Sequence, residues 1–247
     1  MIWHHNHKNR AGFTLIELVV VIVIVGILSV LGGQFIVAPM TGYVDLSRRV
    51  RLVDQAEMSL RRMQRDIRAA LPNSIVTAAG SVTMINTVDG GRYRRYAAAD
   101  GSGDILDFGA PDNGFDVLGA LHAAPVAGSH VVVYNTSASD TGNRADIGAG
   151  STVGHVVLAP AFQFPHPSPY QRFFVVDNKV TYRCEGSELT RYETDVTDPG
   201  DGAATLVTRG ISSCEFTYSP GTTQRAGLVT LRLTLEEAEE EITLLHQ

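Results

Sequence analysis

An almost uninterrupted apolar segment occupies the first part of the chain. From Leu18 to Val37, only Ser29 and Gln34 carry polar side chains. A helix of this length rises about 30 Å at ~1.5 Å per residue, which is the thickness of the hydrocarbon core of a bilayer. The same length far exceeds that of an ordinary β-strand. The pattern predicts a membrane-spanning helix over residues 13–38, with Gly32, Gly33 and Pro39 loosening or bending its far end.

An amphipathic pattern follows, in which apolar residues recur at steps of three and four. This apolar stripe comprises Leu46, Val50, Val53, Ala56, Leu60, Met63, Ile67 and Ala70. Residues at such spacing share one face of a helix, so we predict an amphipathic helix over residues 39–71 that ends before Pro72. On its polar faces, steps of four pair Glu57 with Arg61 and Arg62 with Asp66.

Short alternating runs and turn residues replace the helical pattern after residue 72. The predicted strands are 74–79, 81–85, 104–108, 130–135, 153–159, 171–177, 179–184, 188–193, 204–208, 213–219 and 228–235. Asp177-Asn178 separates two alternating runs and predicts a hairpin turn there. The pattern predicts an α+β protein, a long N-terminal helix packed on a mainly antiparallel β head at 72–247, with long loops at 136–152 and 194–203.

Charge is distributed unevenly along the 247 residues, whose formal net charge is −6. This balance argues against nonspecific nucleic-acid binding as the main task. Lys8 and Arg10 precede the apolar segment, whereas five glutamates lie near the C-terminus at positions 236, 237, 239, 240 and 241. Because positive residues beside a membrane span tend to stay in the cytoplasm, we expect a cytoplasmic N-terminus and an exported head.

The chain has only two cysteines, Cys184 and Cys214. In an exported domain such a pair is typical of one structural disulfide, which would close a loop of about 30 residues and contribute about 3–4 kcal/mol. A redox or metal-binding pair is the alternative. It is less favoured because the chain has no CxxC spacing and no histidine cluster near these cysteines.

Several polar stretches are weaker candidates for ligand sites. Asp100, Asp104 and Asp107 have the spacing of some calcium loops but no terminal bidentate glutamate, so solvated turns are the simpler interpretation. The same holds for Asp140, Asn143 and Asp146, and for Asp195, Asp198 and Asp201. Residues 92–96 mix arginine with tyrosine, as in surfaces that bind single-stranded DNA, but also fit an ordinary exposed strand.

The proline-rich run at 162–170 predicts an extended loop that contacts a partner or covers the core. We find no HExxH, no GxSxG and no phosphate-binding loop in the sequence. The sequence therefore predicts neither an enzyme nor a bound cofactor.

The segment Gly12-Phe13-Thr14-Leu15-Ile16-Glu17 resembles the cleavage and methylation signature of type IV pilins and their relatives. The resemblance implies that a membrane-bound prepilin peptidase removes residues 1–12 as a basic leader peptide. It also implies that this peptidase, acting as a methylase, modifies the new N-terminus at Phe13. Further implied partners are other minor and major pilin subunits, the inner-membrane assembly machinery and, before assembly, membrane lipid.

Glu17 is unusual because it lies just inside a segment built for lipid. An ionised carboxylate deep in a bilayer costs about 2.5–3.5 kcal/mol, so it requires a partner. In the first turn of a helix the carboxylate gains from the helix dipole and lies near the interface. In a filament core, Glu17 can pair with the free amine of Phe13 on a neighbouring chain and so fix the axial register.

Two longer stretches allow the resemblance to be narrowed. Residues 47–75 are similar to the corresponding helix of J-type minor pseudopilins of type II secretion systems. Stretches within residues 180–235 also repeat the hairpin and final strands of these pseudopilins. Residues 171–184 and the two cysteines are more similar to O-type (MshO) minor pilins of the mannose-sensitive haemagglutinin (MSHA) pilus. One departure is that major pilins place a proline near the twenty-second mature position, where this chain has Gly32-Gly33.

These resemblances imply a structural function. The first interpretation is a minor pilin that initiates or tips a filament, located in the inner membrane and then in the pilus at the cell surface. The alternatives are a minor pseudopilin of type II secretion and a tip adhesin that binds a surface glycan through loops 136–152 or 160–170.

Overall fold

A computed structural model of the chain describes residues 12–222, 225–238 and 240–247. Within the helix, the side chains of residues 33–39 and 41 are not described. All of the predicted leader except Gly12 lies outside the described residues. The membrane-spanning and amphipathic patterns, in contrast, lie almost entirely within them.

The two helical patterns form one helix, α1, at Leu15–Arg68. The helix assignment continues through Pro39, where we expected loosening, and it ends before the predicted end at Leu71. Two compact units divide the chain at Met1–Val50 and Arg51–Gln247. The second unit, which we call the head, therefore includes the end of α1, whereas the sequence placed the start of the head at residue 72.

Twelve strands follow in the described part of the chain. They are β1 (Val76–Ala78), β2 (Ser81–Arg92), β3 (Asp112–Asp116), β4 (His130–Val133), β5 (Arg144–Asp146), β6 (His155–Phe162), β7 (Arg172–Glu185), β8 (Glu188–Asp195), β9 (Ala203–Arg209), β10 (Ile211–Ser219), β11 (Leu228–Glu237) and β12 (Glu240–His246). Every pair of these strands is antiparallel. The predicted α+β class, a long helix and a mainly antiparallel β head, is confirmed.

The strands form three sheets. The largest contains seven strands, the second is β10-β11-β12, and the third is the pair β3-β6. In the largest sheet, β7 pairs along most of its length with β2 on one side. On the other side it pairs first with β4, as far as Val176, and then with β8, from Asn178 onward.

This fork explains why the predicted hairpin at Asp177-Asn178 is wrong. Both residues lie inside β7, at the point where its partner changes from β4 to β8. The ladder between β2 and β7 also shifts register opposite this point, between Ile85 and Asp89. A polar dipeptide between two alternating runs therefore marks a branch in the sheet rather than a reversal of the chain.

Other strand predictions also need correction. The predicted strand at 104–108 is not a strand but a segment held by isolated backbone hydrogen bonds. The Leu106 amide donates to the Arg94 carbonyl, and the Asp116 amide donates to the Asp104 carbonyl. The loop predicted at 136–152 contains the short strand β5. The glutamate-rich C-terminal stretch, for which we predicted no strand, pairs with β11 as β12.

The head buries the later part of the apolar stripe of α1. Ala56, Leu60 and Met63 are fully buried against side chains of β2, β7, β8 and the three-stranded sheet. Leu52 is buried as well, although it lies off the predicted stripe. The N-terminal part of the stripe is not buried, because Leu46 and Val50, both in the first unit, are exposed.

A polar network ties the end of α1 to the largest sheet. The carboxylate of Asp66 accepts hydrogen bonds from the Tyr182 hydroxyl at 2.8 Å and from Arg191 Nε at 2.9 Å. We expected Asp66 to pair with Arg62 along the helix, whereas the bonds in this network come from the sheet. Burial and the neighbouring Asp66 carboxylate raise the pKa of Tyr182, which keeps its hydroxyl a donor.

Replacing Asp66 by alanine is expected to destabilise the head by about 2–3 kcal/mol. Removing one partner of a buried ion pair costs ~3–5 kcal/mol, and the figure is reduced here because the Asp66 side chain is 25% exposed. Arg191 would keep only its bond to Glu193, and the Tyr182 hydroxyl would lose its acceptor. Urea unfolding followed by circular dichroism measures the change.

The matched control for this prediction is Asp54→Ala, which removes an exposed acid from the same helix. We expect it to change stability by less than about 0.5 kcal/mol. Equal effects of the two substitutions would show that the network at Asp66 contributes nothing beyond a surface charge.

The disulfide predicted from the two cysteines is present. Cys184 lies near the end of β7 and Cys214 within β10, so the bond joins the seven-stranded sheet to the three-stranded sheet. Gly80 lies beside it with φ +69°, and its carbonyl accepts a hydrogen bond from the Cys184 amide. The disulfide thus cross-links the two larger sheets of the head.

Candidate functional site

The N-terminal segment positions its motif residues at the start of α1. Gly12, Phe13 and Thr14 precede the first helical residue, Leu15. The backbone amide of Glu17 donates to Thr14 Oγ1 at 3.3 Å, and the Leu18 amide donates to the Thr14 carbonyl at 3.2 Å. Thr14 is therefore the N-cap of the helix, because its side chain satisfies an amide that has no partner within the helix.

The same geometry fixes the place of Glu17. It is the third residue of the helix and the acid of the first turn, where a negative charge is favoured by the helix dipole. Thr14 and Glu17 also have the spacing of a capping box, T-x-x-E. We interpreted Glu17 only as a charge and missed Thr14, although the spacing was a sufficient signal.

The helix that follows presents apolar side chains on all sides. The window Leu15–Gly32 has a mean hydropathy of 3.0, and none of it is buried within the chain. Its branched side chains are half or more exposed at several positions, such as Ile22 at 62% and Val30 at 70%. By length and composition this segment can cross a bilayer. Its surface requires lipid or other apolar helices around it.

Comparison with protein families identifies the N-terminal segment. Residues 7–32 match the family model described as the prokaryotic N-terminal methylation motif. The chain carries a prepilin-type motif. Neither the curated proteins nor the solved structures compared with the chain gave a significant match. The prepilin-type motif covers the cleavage signature and most of the apolar helix, but none of the head.

Together, the prepilin-type motif and the apolar helix support a type IV pilin-like or pseudopilin protein that is anchored in a membrane. The motif implies processing by a prepilin peptidase and assembly with other pilins. It also indicates a structural rather than an enzymatic role.

The structure does not bring the calcium candidates Asp100, Asp104 and Asp107 together as a set of ligands. Asp100 accepts from the amide and hydroxyl of Ser102, and Asp107 accepts from the Gly109 amide. Burial and the neighbouring Asp112 raise the pKa of Asp104. Across the described residues, no group of three His, Cys, Asp or Glu side chains is arranged to hold a metal ion.

The other two acidic sets are also used within the fold. Asp146 accepts a 2.8 Å contact from the imidazole of the buried His130, and Asn143 is buried. Asp195 accepts from the Thr197 hydroxyl and amide, which lowers its pKa. Asp198 and Asp201 accept from the Gly200 amide and from Arg183 respectively.

Residues 92–96 do not form a stacking surface. Tyr93 is fully buried and packs against Phe108 and Phe115, while Arg94 lies 3.3 Å from Asp116. Tyr96 is exposed, with Arg95 over its ring. One tyrosine therefore belongs to the core and one faces solvent. The exposed strand of the simpler interpretation is wrong, because of these residues only Arg92 lies in a strand.

The proline-rich run at 162–170 is divided in the same way. Phe164 is buried and packs edge-to-face on Phe162. This end of the run therefore covers the hydrophobic cluster around Phe115 and Phe173. Tyr170 is 68% exposed and lies under the guanidinium of Arg172. Only its last aromatic residue is open to a partner.

Proposed function

We propose that this chain is a minor pilin of an MSHA-type filament, added as an initiation or tip subunit through its N-terminal helix. The observation that carries the proposal is the prepilin-type motif at residues 7–32, which overlaps an apolar helix whose window Leu15–Gly32 is not buried by any of the described residues. Such a helix is suited first to lipid and then to a bundle of like helices.

In this proposal the peptidase cuts between Gly12 and Phe13 on the cytoplasmic side of the inner membrane and methylates the amine of Phe13. Both residues lie before the helix starts, where the backbone is not protected by helical hydrogen bonds. Among the described residues, no atom lies within 4 Å of the position that a Cβ on Gly12 would take. The cap at Thr14 begins the helix just beyond the proposed cleavage site.

After cleavage, the amine at Phe13 and the carboxylate at Glu17 lie at the same end of each helix. When the helices bundle, Glu17 of one subunit pairs with the amine of its neighbour, which favours one axial offset over others. The head remains in the periplasm during this step and then becomes part of the filament surface.

The choice of filament rests on the similarity of residues 171–184 and the two cysteines to MshO-type minor pilins. The J-type pseudopilins of type II secretion remain the second candidate, because residues 47–75 and stretches within 180–235 are similar to theirs. The genes that neighbour this one distinguish the two: pilus-assembly genes favour the first candidate, and secretion genes the second.

We expect intact-mass analysis of the chain from cells with an active prepilin peptidase to show an N-terminus at Phe13 carrying one added methyl group. From cells that lack the peptidase, the same analysis should show the uncleaved chain. A chain that keeps residues 1–12 in the presence of an active peptidase, or that is cut elsewhere, would contradict the proposal.

A further inference from the structure

A wide groove opens in the head where α1 ends. It has a volume of about 1080 Å³ and is formed by the last turn of α1, the residues just after it, the start of β7, the β10–β11 connection and the end of β12. Three arginines from distant parts of the sequence line it: Arg68, Arg172 and Arg225. We call this site the basic groove.

The charge of the basic groove is of one sign. None of its described lining side chains is an aspartate or glutamate, and His246 lies there beside the arginines. Arg172 also lies directly opposite Arg92 in the ladder between β2 and β7. Within the head the Arg172 guanidinium lies over the ring of Tyr170, but like charges in opposed positions still destabilise a sheet unless an acid approaches them.

The turn between β11 and β12 has the reverse arrangement. Glu236 lies opposite Glu241, and Glu237 opposite Glu240. We call these four residues the acidic tip. Glu237 has a local partner, Arg51 at 2.7 Å, whereas Glu236 and Glu241 are exposed at the surface. The exposed pair of like charges, Glu236 and Glu241, costs stability unless a cation approaches it.

The acidic tip and the basic groove lie at opposite ends of one sheet. Leu228, the first residue of β11, lines the groove, whereas Glu237, its last residue, belongs to the tip. Ten residues of strand extend roughly 30 Å at about 3.3 Å per residue. This separation exceeds the Debye length of about 8 Å at physiological salt, so the two charged sites do not neutralise each other within one head.

We propose that the acidic tip of one copy of this chain docks into the basic groove of a second copy. The contact joins two different surfaces, so it can repeat head to tail and build an open chain of subunits rather than a closed dimer. It brings Glu236 and Glu241 to Arg172 and Arg225, which relieves the like-charge pairs on both sides.

The proposed docking of tip into groove rests on the proposed function only in that the contact would occur between subunits of a filament. Docking of head to head is a property of the folded chain and is measured without pili. Failure of docking would therefore leave the motif and its processing untouched, and failure of processing would leave docking untouched.

The test uses the full chain in mild detergent, with association measured by sedimentation at low salt. Reversing charge in the groove (Arg172→Glu with Arg225→Glu) or in the tip (Glu236→Lys with Glu241→Lys) should each weaken association at least about tenfold. An equimolar mixture of the two variants should associate again, because each tip then meets a groove of opposite charge. About 1 M salt should weaken association of the unmodified chain.

The matched control reverses two exposed charges elsewhere in the head, Arg95→Glu and Asp54→Lys, and should associate like the unmodified chain. Association through the apolar helix in micelles is common to all variants and cancels in the comparison. Renewed association of the mixture also shows that each variant is folded.

Three results would overturn the proposal. The first is equal association of the groove, tip and control variants. The second is loss in one variant only, which would mean that the affected surface contacts a part of the second copy other than the one proposed. The third is a mixture that does not recover association.

Discussion

Replacing Glu17 by alanine will leave the chain inserted in the membrane and reduce its incorporation into filaments by at least about tenfold. Insertion is preserved because alanine removes the only ionisable side chain from the apolar segment, where a buried carboxylate costs about 2.5–3.5 kcal/mol. Incorporation falls because the carboxylate no longer meets the amine of the adjacent subunit. A lost buried ion pair costs several kcal/mol, and each ~1.4 kcal/mol is a factor of ten.

Two further variants separate the charge of Glu17 from its part in the helix cap. Glu17→Gln keeps the shape of the side chain without its charge and should fail as alanine does. Thr14→Ala removes the cap that the structure shows at the Glu17 amide, at a cost of about 1 kcal/mol, but keeps the carboxylate. It should assemble nearly normally. The measurement is the ratio of the chain in sheared filaments to the chain in membranes. Unchanged incorporation of Glu17→Ala would contradict the proposed pairing of Glu17 with the amine of a neighbouring subunit.

The parts of the fold that sequence predicted are those governed by local periodicity. The step of three and four placed Ala56, Leu60 and Met63 on the buried face of α1, since a helix makes its own hydrogen bonds and only its orientation needs a partner. Leu46 and Val50 continue the same step but are exposed in the first unit. Periodicity therefore predicts which residues share a face, whereas burial depends on what lies opposite.

Sheet topology was harder to predict from the sequence, because alternation of apolar and polar residues identifies a strand without identifying the strands that pair with it. The fork at Asp177 arises from two partners on one edge of β7, which no pattern within residues 171–184 records. The sequence did not predict β12, because its glutamates lower the expected strand propensity. Ile242 nevertheless anchors the strand, since it is buried in the same core as Leu60 and Leu233.

The residues proposed to be functional divide along the same line. Gly12, Phe13 and Glu17 lie in one short segment, so six residues sufficed to predict the prepilin-type motif that the family comparison matches. The basic groove depends on Arg68, Arg172 and Arg225, which come together only when the end of α1, the start of β7 and the β10–β11 connection have folded. Single arginines at such separations carry no signal in a sequence.

Removing the disulfide is expected to have the largest effect on the stability of the head. Its cysteines are 30 residues apart, and closing a loop of that length reduces the entropy of the unfolded chain by an amount worth about 3–4 kcal/mol. For a chain of this size, each 1 kcal/mol shifts the midpoint of thermal unfolding by roughly 2–4 °C, so a shift near 10 °C is expected.

The measurement compares the full chain with a Cys184→Ala, Cys214→Ala variant in mild detergent. Because the only tryptophan, Trp3, belongs to the predicted leader, unfolding of the head is followed by the circular dichroism of its tyrosines. A reducing agent should lower the midpoint of the unmodified chain to that of the variant and leave the variant unchanged. The bond joins two sheets that already share the core around Leu60, Leu189 and Leu233. A loss below about 1 kcal/mol would mean that residual structure already restricts the unfolded chain about as strongly as the covalent bond does.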